Sequence, residues 1–194
     1  MIGSLEKSDR VRLGRLREGQ VAKALTEQCN LCFEDSSHDE DCTNKIDRWL
    51  VRDGKRYGVQ IKVRESGKDL LFELVDRFYG LDDPRNKAGR DLVQGSAEIY
   101  AVLVDKDTVV MIPTEIAKKI IDEALADVRQ HGWTSENISG KMYRWNVHGE
   151  KIELKVQKDP RDHRDKLMAF IPVGVFEHQQ QLETYKVHLP RKWH

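Results

Sequence analysis

The sequence predicts an α/β or α+β domain in which one mixed β-sheet is flanked by helices, and three observations predict it. Apolar residues recur at helical spacing over residues 10–28 and again over 115–131. Short runs rich in β-branched residues occupy 46–51, 57–63, 70–75, 99–104 and 109–113. The first two runs are joined by a segment centred on Asp53-Gly54, a strong short-range hairpin signal. Helix, strands, helix and further strands, in that order, suit one sheet with helices packed against it.

Taken in order, the first helix carries Leu13, Leu16, Val21, Ala24, Leu25 and Gln28 along one stripe, with Arg10, Arg12, Arg15 and Arg17 forming a basic outer face. Leu31 to Phe33 begin a strand. The hairpin pairs IDRWLV (46–51) with YGVQIKV (57–63). If Asp53-Gly54 is a two-residue turn, Arg52 faces Lys55 and Asp47 lies opposite Gln60. Lys62, two residues on, then shares that face. A four-residue loop would set Asp47 opposite Lys62 and leave the face unchanged. Tyr57, Val59, Ile61 and Val63 make the opposite face apolar, and it should pack on the core. LLFELV (70–75) is a third run, followed by the long polar segment FYGLDDPRNKAGRDLVQGS. IYAVLV and VVMIP lead into the second helix, which Gly132 ends. MYRWNV and KIELKV form another hairpin around His148-Gly149, and LMAFIPVGVF is a last apolar run before a polar tail. Residues 1–133 thus form the core. Residues 134–194 form a β-rich extension of the same domain or a small subdomain.

A chain of 194 residues suits one domain, with room for a core that needs no staples. The 33 basic and 33 acidic side chains cancel, so any nucleic-acid footprint must be local. The first residues lack the apolar stretch of a signal peptide, and no run approaches the ~20 residues of a membrane span. The expected compartment is the cytoplasm, with no membrane partner. Three cysteines cannot all pair with one another, and a reducing compartment keeps them as thiols or metal ligands.

On the hairpin, Asp47, Gln60 and Lys62 bring a carboxylate, an amide oxygen and an ammonium to one face. Such oxygens suit a hard cation like Mg²⁺, which keeps several waters and takes substrate phosphate as a further ligand. An ammonium beside it can orient water or offset charge on phosphate. A plain half-solvated hairpin shows the same polar and apolar faces, so spacing alone does not separate a site from ordinary amphipathicity.

In this order the residues resemble the PD-(D/E)xK superfamily of restriction-endonuclease-like nucleases. Asp47 takes the Asp position and Gln60-Ile61-Lys62 the tripeptide, with Gln60 in place of the usual acid, as in the QxK variant. The family's leading helix often supplies an acid, for which Glu18 is the candidate and Gln20 a second one. The stretch 97–102, running on to Ile112-Pro113, resembles the family's hydrophobic strand and its exit. The resemblance spans roughly residues 10–125 and rests on order and pattern. It implies a restriction-endonuclease-like core with additional C-terminal strands, and a metal-dependent DNA endonuclease. Asp47, Gln60 and Glu18 would hold Mg²⁺ or Mn²⁺, and Lys62 would complete the catalytic set. DNA is the implied partner. Arg12 and Arg15 on the helix, and Arg85, Lys87 and Arg90 in the long loop, are the candidate phosphate contacts. A homodimer would suit double-strand cleavage.

Two rival readings use other features. Gln60 is neutral, which suits a nuclease-like fold that binds nucleic acid or a protein without cutting. Cys29, Cys32, His38 and Cys42 have the ligand types of a Zn²⁺ site and would make a zinc-stabilised interaction module. Against zinc, Cys29 continues the buried stripe of the first helix, where a thiol acts as a small hydrophobe. The five acids of the run 34–41 read as a solvated loop or as a second lure for metal.

Overall fold

The computed structural model describes residues 7–63, 69–88, 95–133, 140–147, 149–159, 163–178 and 182–189. Along the chain run α1 (Lys7–Cys29), β1 (Cys32–Asp35), a π-helical turn (Glu40–Asn44), β2 (Arg48–Arg52), β3 (Lys55–Val63), β4 (Asp69–Arg77) and β5 (Lys87–Ala88). Then come β6 (Ile99–Leu103), β7 (Thr108–Pro113), α2 (Thr114–His131), β8 (Met142–Val147), β9 (Glu150–Lys158), β10 (Asp165–Pro172), α3 (Val173–Glu177) and β11 (Glu183–Lys186).

The hairpin forms in the register its turn dictates. Asp53 and Gly54 both have positive φ, 53° and 72°, as a two-residue turn matched to strand twist requires. Arg52 pairs with Lys55, and the ladder runs down to Arg48 opposite Val59. β8 and β9 repeat the device around residues 148–149, with Val147 opposite Glu150; His148 itself lies outside the described residues.

The expected mixed sheet is present, but it is one of two. Six strands in the order β1-β2-β3-β6-β7-β11 form it, antiparallel except where β3 runs parallel to β6. LLFELV does not join it. As β4 it enters a second, antiparallel sheet of order β5-β4-β10-β9-β8, where its long partner is β10. The C-terminal strands divide accordingly, with β8 to β10 in the second sheet and β11 on the edge of the first. LMAFIPVGVF is two elements rather than one, because Pro172 ends β10 and α3 follows. Within the polar tail, ETYK is a strand pairing with β7.

Each sheet face is covered for a definite reason. Val21, Ala22 and Leu25 of α1 pack on Leu50, Val59, Ile61, Ala101 and Met111, all at most 4% exposed. Fully burying such a Leu, Ile or Val contributes about 1.5–3 kcal/mol, so this contact fixes α1 against the hairpin. The sheet bends around α1 far enough for side chains of non-adjacent strands to meet. Arg52 of β2 makes a two-bonded ion pair with Glu183 of β11, at 2.7 and 2.9 Å, although β3, β6 and β7 lie between them in the sheet. Gln28, near the end of α1, exchanges two hydrogen bonds with the His188 backbone at 3.0 and 2.7 Å.

The other core lies between the sheets. Tyr100, Val102 and Ile112 face Leu70, Phe72, Leu154 and Ala169, and Ala117, Ile120, Ile121 and Ala124 of α2 join them. At one end of the second sheet Lys166 Nζ meets Glu73 at 2.8 Å, Asp76 at 3.2 Å and Asp159 at 3.3 Å, while Arg164 holds the other oxygen of Asp76. These side chains are mostly buried, so they tie β4, β9 and β10 together more firmly than surface pairs would. Among the described residues no helix is long and apolar enough to cross a membrane.

Candidate active site

Asp47 sits where the hairpin ladder stops. Continued in register it would face Gln60, but pairing ends at Arg48. Instead its N–H donates to Val59 O at 2.9 Å, and its Oδ2 accepts the Ile61 N–H at 2.6 Å. The carboxylate therefore takes the place of a strand partner beside β3. Its carbonyl is held as well, by Ser36 Oγ at 2.9 Å and Arg48 Nη1 at 2.6 Å. Held by its N–H, its carbonyl and one carboxylate oxygen, Asp47 is preorganised.

Glu18 reaches the same place from the helix. One turn before Val21 and Ala22 it is half-buried, as the helical stripe predicts. Burial, and then the nearby Asp47 carboxylate, push its pKa up to about 7, while Lys62 and Arg15 work in the opposite direction. Burial also raises Asp47, opposed by the Ile61 hydrogen bond and by Lys62. The Ile61 N–H favours the charged form of Asp47, and that charge adds to burial in raising Glu18. The structure thus brings Glu18, Asp47 and Lys62 into one electrostatic cluster, contributed by α1, the residue before β2 and the end of β3.

Gln60 is not on a half-solvated face. It is 3% exposed, and in the parallel pairing it stands beside Tyr100, whose face is covered by the second sheet. The plain amphipathic hairpin does not account for an amide at this depth. Gln20 is half-buried on α1.

A further acid belongs to the cluster. Asp41 raises both Glu18 and Asp47, and its Oδ2 lies 2.8 Å from Arg15 Nη2. In sequence it is one of five acids in a run that reads as a solvated loop. The π-helical turn places it. Ser37 N–H donates to Glu40 Oε2 at 2.7 Å while Glu40 N–H donates to Ser37 Oγ at 3.2 Å, a reciprocal capping box. Lys45, left-handed at φ 58°, closes the turn onto Glu40 O. Ser37-His38-Asp39-Glu40, with its S-x-x-E spacing, is the signal in the sequence that could have marked this turn.

The arginines named as phosphate contacts fare unequally. Arg12 is exposed on α1, and Arg15 stands beside the acids, paired with Asp41. Arg85 is bound to Asp83 at 2.6–2.9 Å and lies 4.4 Å over the Tyr79 ring. Lys87 is exposed on β5, at the edge of the second sheet. Among the described residues no contact joins Arg85 or Lys87 to the Asp47 cluster, and Arg90 lies outside them. Cys29 Sγ donates to Lys186 O at 3.7 Å, Cys32 is exposed at the start of β1, and the Cys42 side chain lies outside the described residues.

A hollow of about 450 Å³ opens elsewhere, between α2, β4 and the following loop, lined by Leu74, Leu81, Ile121, Leu125, Asp82 and Arg129. Size alone would favour it. Its Asp82 already carries an ion pair to Arg129 at 2.9 Å. The Asp47 cluster has the stronger chemical case.

Chemically, Glu18 and Asp47 suit a hard divalent cation, which needs only one or two carboxylates besides water and phosphate. Among the described residues no three His, Cys, Asp or Glu side chains are grouped as a ready cage, so an amide oxygen, water and substrate would have to complete the coordination. No protein-family model, curated protein or solved structure matches this chain.

Proposed function

We propose that the chain is a Mg²⁺- or Mn²⁺-dependent DNA endonuclease of the PD-(D/E)xK kind, hydrolysing phosphodiester bonds with an activated water. The observation that carries this reading is the electrostatic coupling of Glu18, Asp47 and Lys62, contributed by α1, the residue before β2 and the end of β3. Two carboxylates forced together in a partly dry place repel one another, and a divalent cation is what relieves both. Helix, Asp-bearing hairpin strand, tripeptide strand and a later hydrophobic strand follow one another as in the nuclease superfamily. The parallel pairing of β3 with β6 sets the tripeptide in the middle of the sheet.

In this reading Asp47, Glu18 and the Gln60 amide oxygen would hold the cation, which when bound would acidify water and neutralise phosphate charge. Asp47 is aimed by Ile61, whose N–H occupies one carboxylate oxygen and so fixes the direction of the other. The Lys62 ammonium offsets negative charge at the phosphate and orients the attacking water. Gln60 attracts the cation less than an acid would, and Glu18 makes up the charge. The neutral, buried Gln60 also favours a second reading, a nuclease-like fold that binds nucleic acid without cutting.

Nicking of supercoiled plasmid and of branched duplexes, with Mg²⁺ or with chelator, is the test. Wild type should cut only with metal, and Lys62→Ala should cut at least 100-fold more slowly, the range of a lost charge-stabilising group. Asp47→Asn keeps an acceptor for Ile61 N–H while removing the charge, so it should stay folded and lose cleavage. A wild type that binds DNA but cuts no faster than either variant would establish the second reading instead.

A further inference from the structure

Resting on the nuclease reading, we infer that Arg15 and Asp41 form an exchangeable pair: Arg15 releases Asp41 to take a backbone phosphate of DNA next to the metal position, and the released Asp41 carboxylate strengthens cation binding. Arg15 and Glu18 are three residues apart on α1, hence neighbours on one helix face. Asp41 approaches that face from the capped π-helical turn, with Arg15 Nη2 at 2.8 Å from its Oδ2. The pair is half open to solvent, the side chains being 51% and 30% exposed. An ion pair that exposed is worth little, so replacing its carboxylate with a phosphate costs little. The guanidinium fork suits either anion equally well.

What makes the exchange consequential is the company the pair keeps. Asp41 acts on both Glu18 and Asp47, and Arg15 on Glu18. While Arg15 covers Asp41, the acids facing the cation position are Glu18 and Asp47, with Lys62 opposed to them. Once a phosphate draws Arg15 away, a third carboxylate is uncovered at the moment the substrate arrives. DNA and metal should therefore help one another bind, and by linkage the help is equal in both directions. Arg12, exposed one turn further out on the same helix, extends the basic track away from the acids.

Binding of a fluorescent duplex, by anisotropy across a salt series with chelator or with Ca²⁺ to limit cleavage, tests this alongside calorimetric titration of Ca²⁺ with and without duplex. Asp41→Asn should bind DNA more tightly than wild type without metal, by up to about fivefold, because Arg15 is already free. It should also lose most of the mutual enhancement between duplex and Ca²⁺. Arg15→Ala should lower the salt slope by about one and bind Ca²⁺ alone more tightly, since a neighbouring cation is gone. Arg15→Lys should restore the slope without the fork. If wild type binds DNA and the two variants match it in slope and in enhancement, the exchange is wrong while the nuclease reading stands. If wild type binds no duplex under any condition, both fall together.

Discussion

Glu18 is the residue on which the energetics of the site are most plainly visible. Its carboxyl ionises near 7 in the folded chain against an ordinary 4.5, because burial and then Asp47 oppose its charge. A folded acid with a raised pKa holds its proton longer than the unfolded chain does. The Glu18 contribution to stability is therefore fully present below about 4.5 and is lost as pH rises to about 7, by roughly 3 kcal/mol in the metal-free protein. Glu18→Gln should remove this slope and make the metal-free chain more stable than wild type near pH 8, with little difference near pH 5. Saturating Mg²⁺ should return stability to wild type above neutrality and do much less for the variant. Urea unfolding at the two pH values, with and without Mg²⁺, measures all four quantities. Parallel pH profiles for wild type and Glu18→Gln would mean that Glu18 does not face Asp47. The inward position of Glu18 follows from helical spacing, since it lies three residues before Val21 and four before Ala22. The part played by Asp41 is not legible in the sequence, because a run of five acids looks like a solvated loop until the Ser37–Glu40 cap is seen to curl it back toward α1.

At the scale of the elements, the hairpin carries the site, and Gly58 governs how closely its neighbours approach. A Cβ at Gly58 would lie 2.9 and 3.0 Å from the Ile46 side chain, whose own residue is 3% exposed, while the Gly58 N–H is held by Glu98 Oε2 at 3.0 Å. Gly58→Ala should therefore overpack this corner, costing about 1–3 kcal/mol, and weaken metal binding by displacing Ile46 and the adjoining Asp47. Ile46→Val shortens the obstructing chain, so the double variant should be less destabilised than the sum of the two singles. Thermal melts of the four proteins form the cycle, and simple additivity would show that this contact is not the obstacle. The hairpin's register could be read in the sequence because a two-residue turn is local and its residues, Asp53-Gly54, admit positive φ. The destination of β4 could not, because its apolar alternation suits any sheet and its partner β10 lies some ninety residues further on. β11 is hidden in the sequence for another reason: ETYK is short, polar and half-exposed, and pairing with β7 makes it a strand.

For the whole molecule, the two sheets decide whether the first 133 residues can stand alone. β4 belongs to the first half of the chain, yet six of its residues pair with β10, and among the described residues its other partner, β5, is two residues long. Leu70, Phe72 and Leu74, at most 5% exposed, face a core that β9, β10 and α3 complete. Removing residues 134–194 would strand these side chains and leave Glu73 and Asp76 without Lys166 and Arg164. It would also take β11 from the first sheet, and with it the partners of Arg52, Gln28 and Cys29 that hold the bend around α1. α1 is the element that brings Glu18 to Asp47, so loss of its far-end contacts should be felt at the site. Expression of residues 1–133 should accordingly give a chain that aggregates, or that shows no cooperative melt by circular dichroism and no response to Mg²⁺. Restoring residues 134–194 as a separate, co-expressed chain should recover both, because the missing contacts are strand pairings that need no covalent link. A 1–133 fragment that melts cooperatively and gains stability from Mg²⁺ would show instead that the hairpin and α1 hold the site without the second sheet.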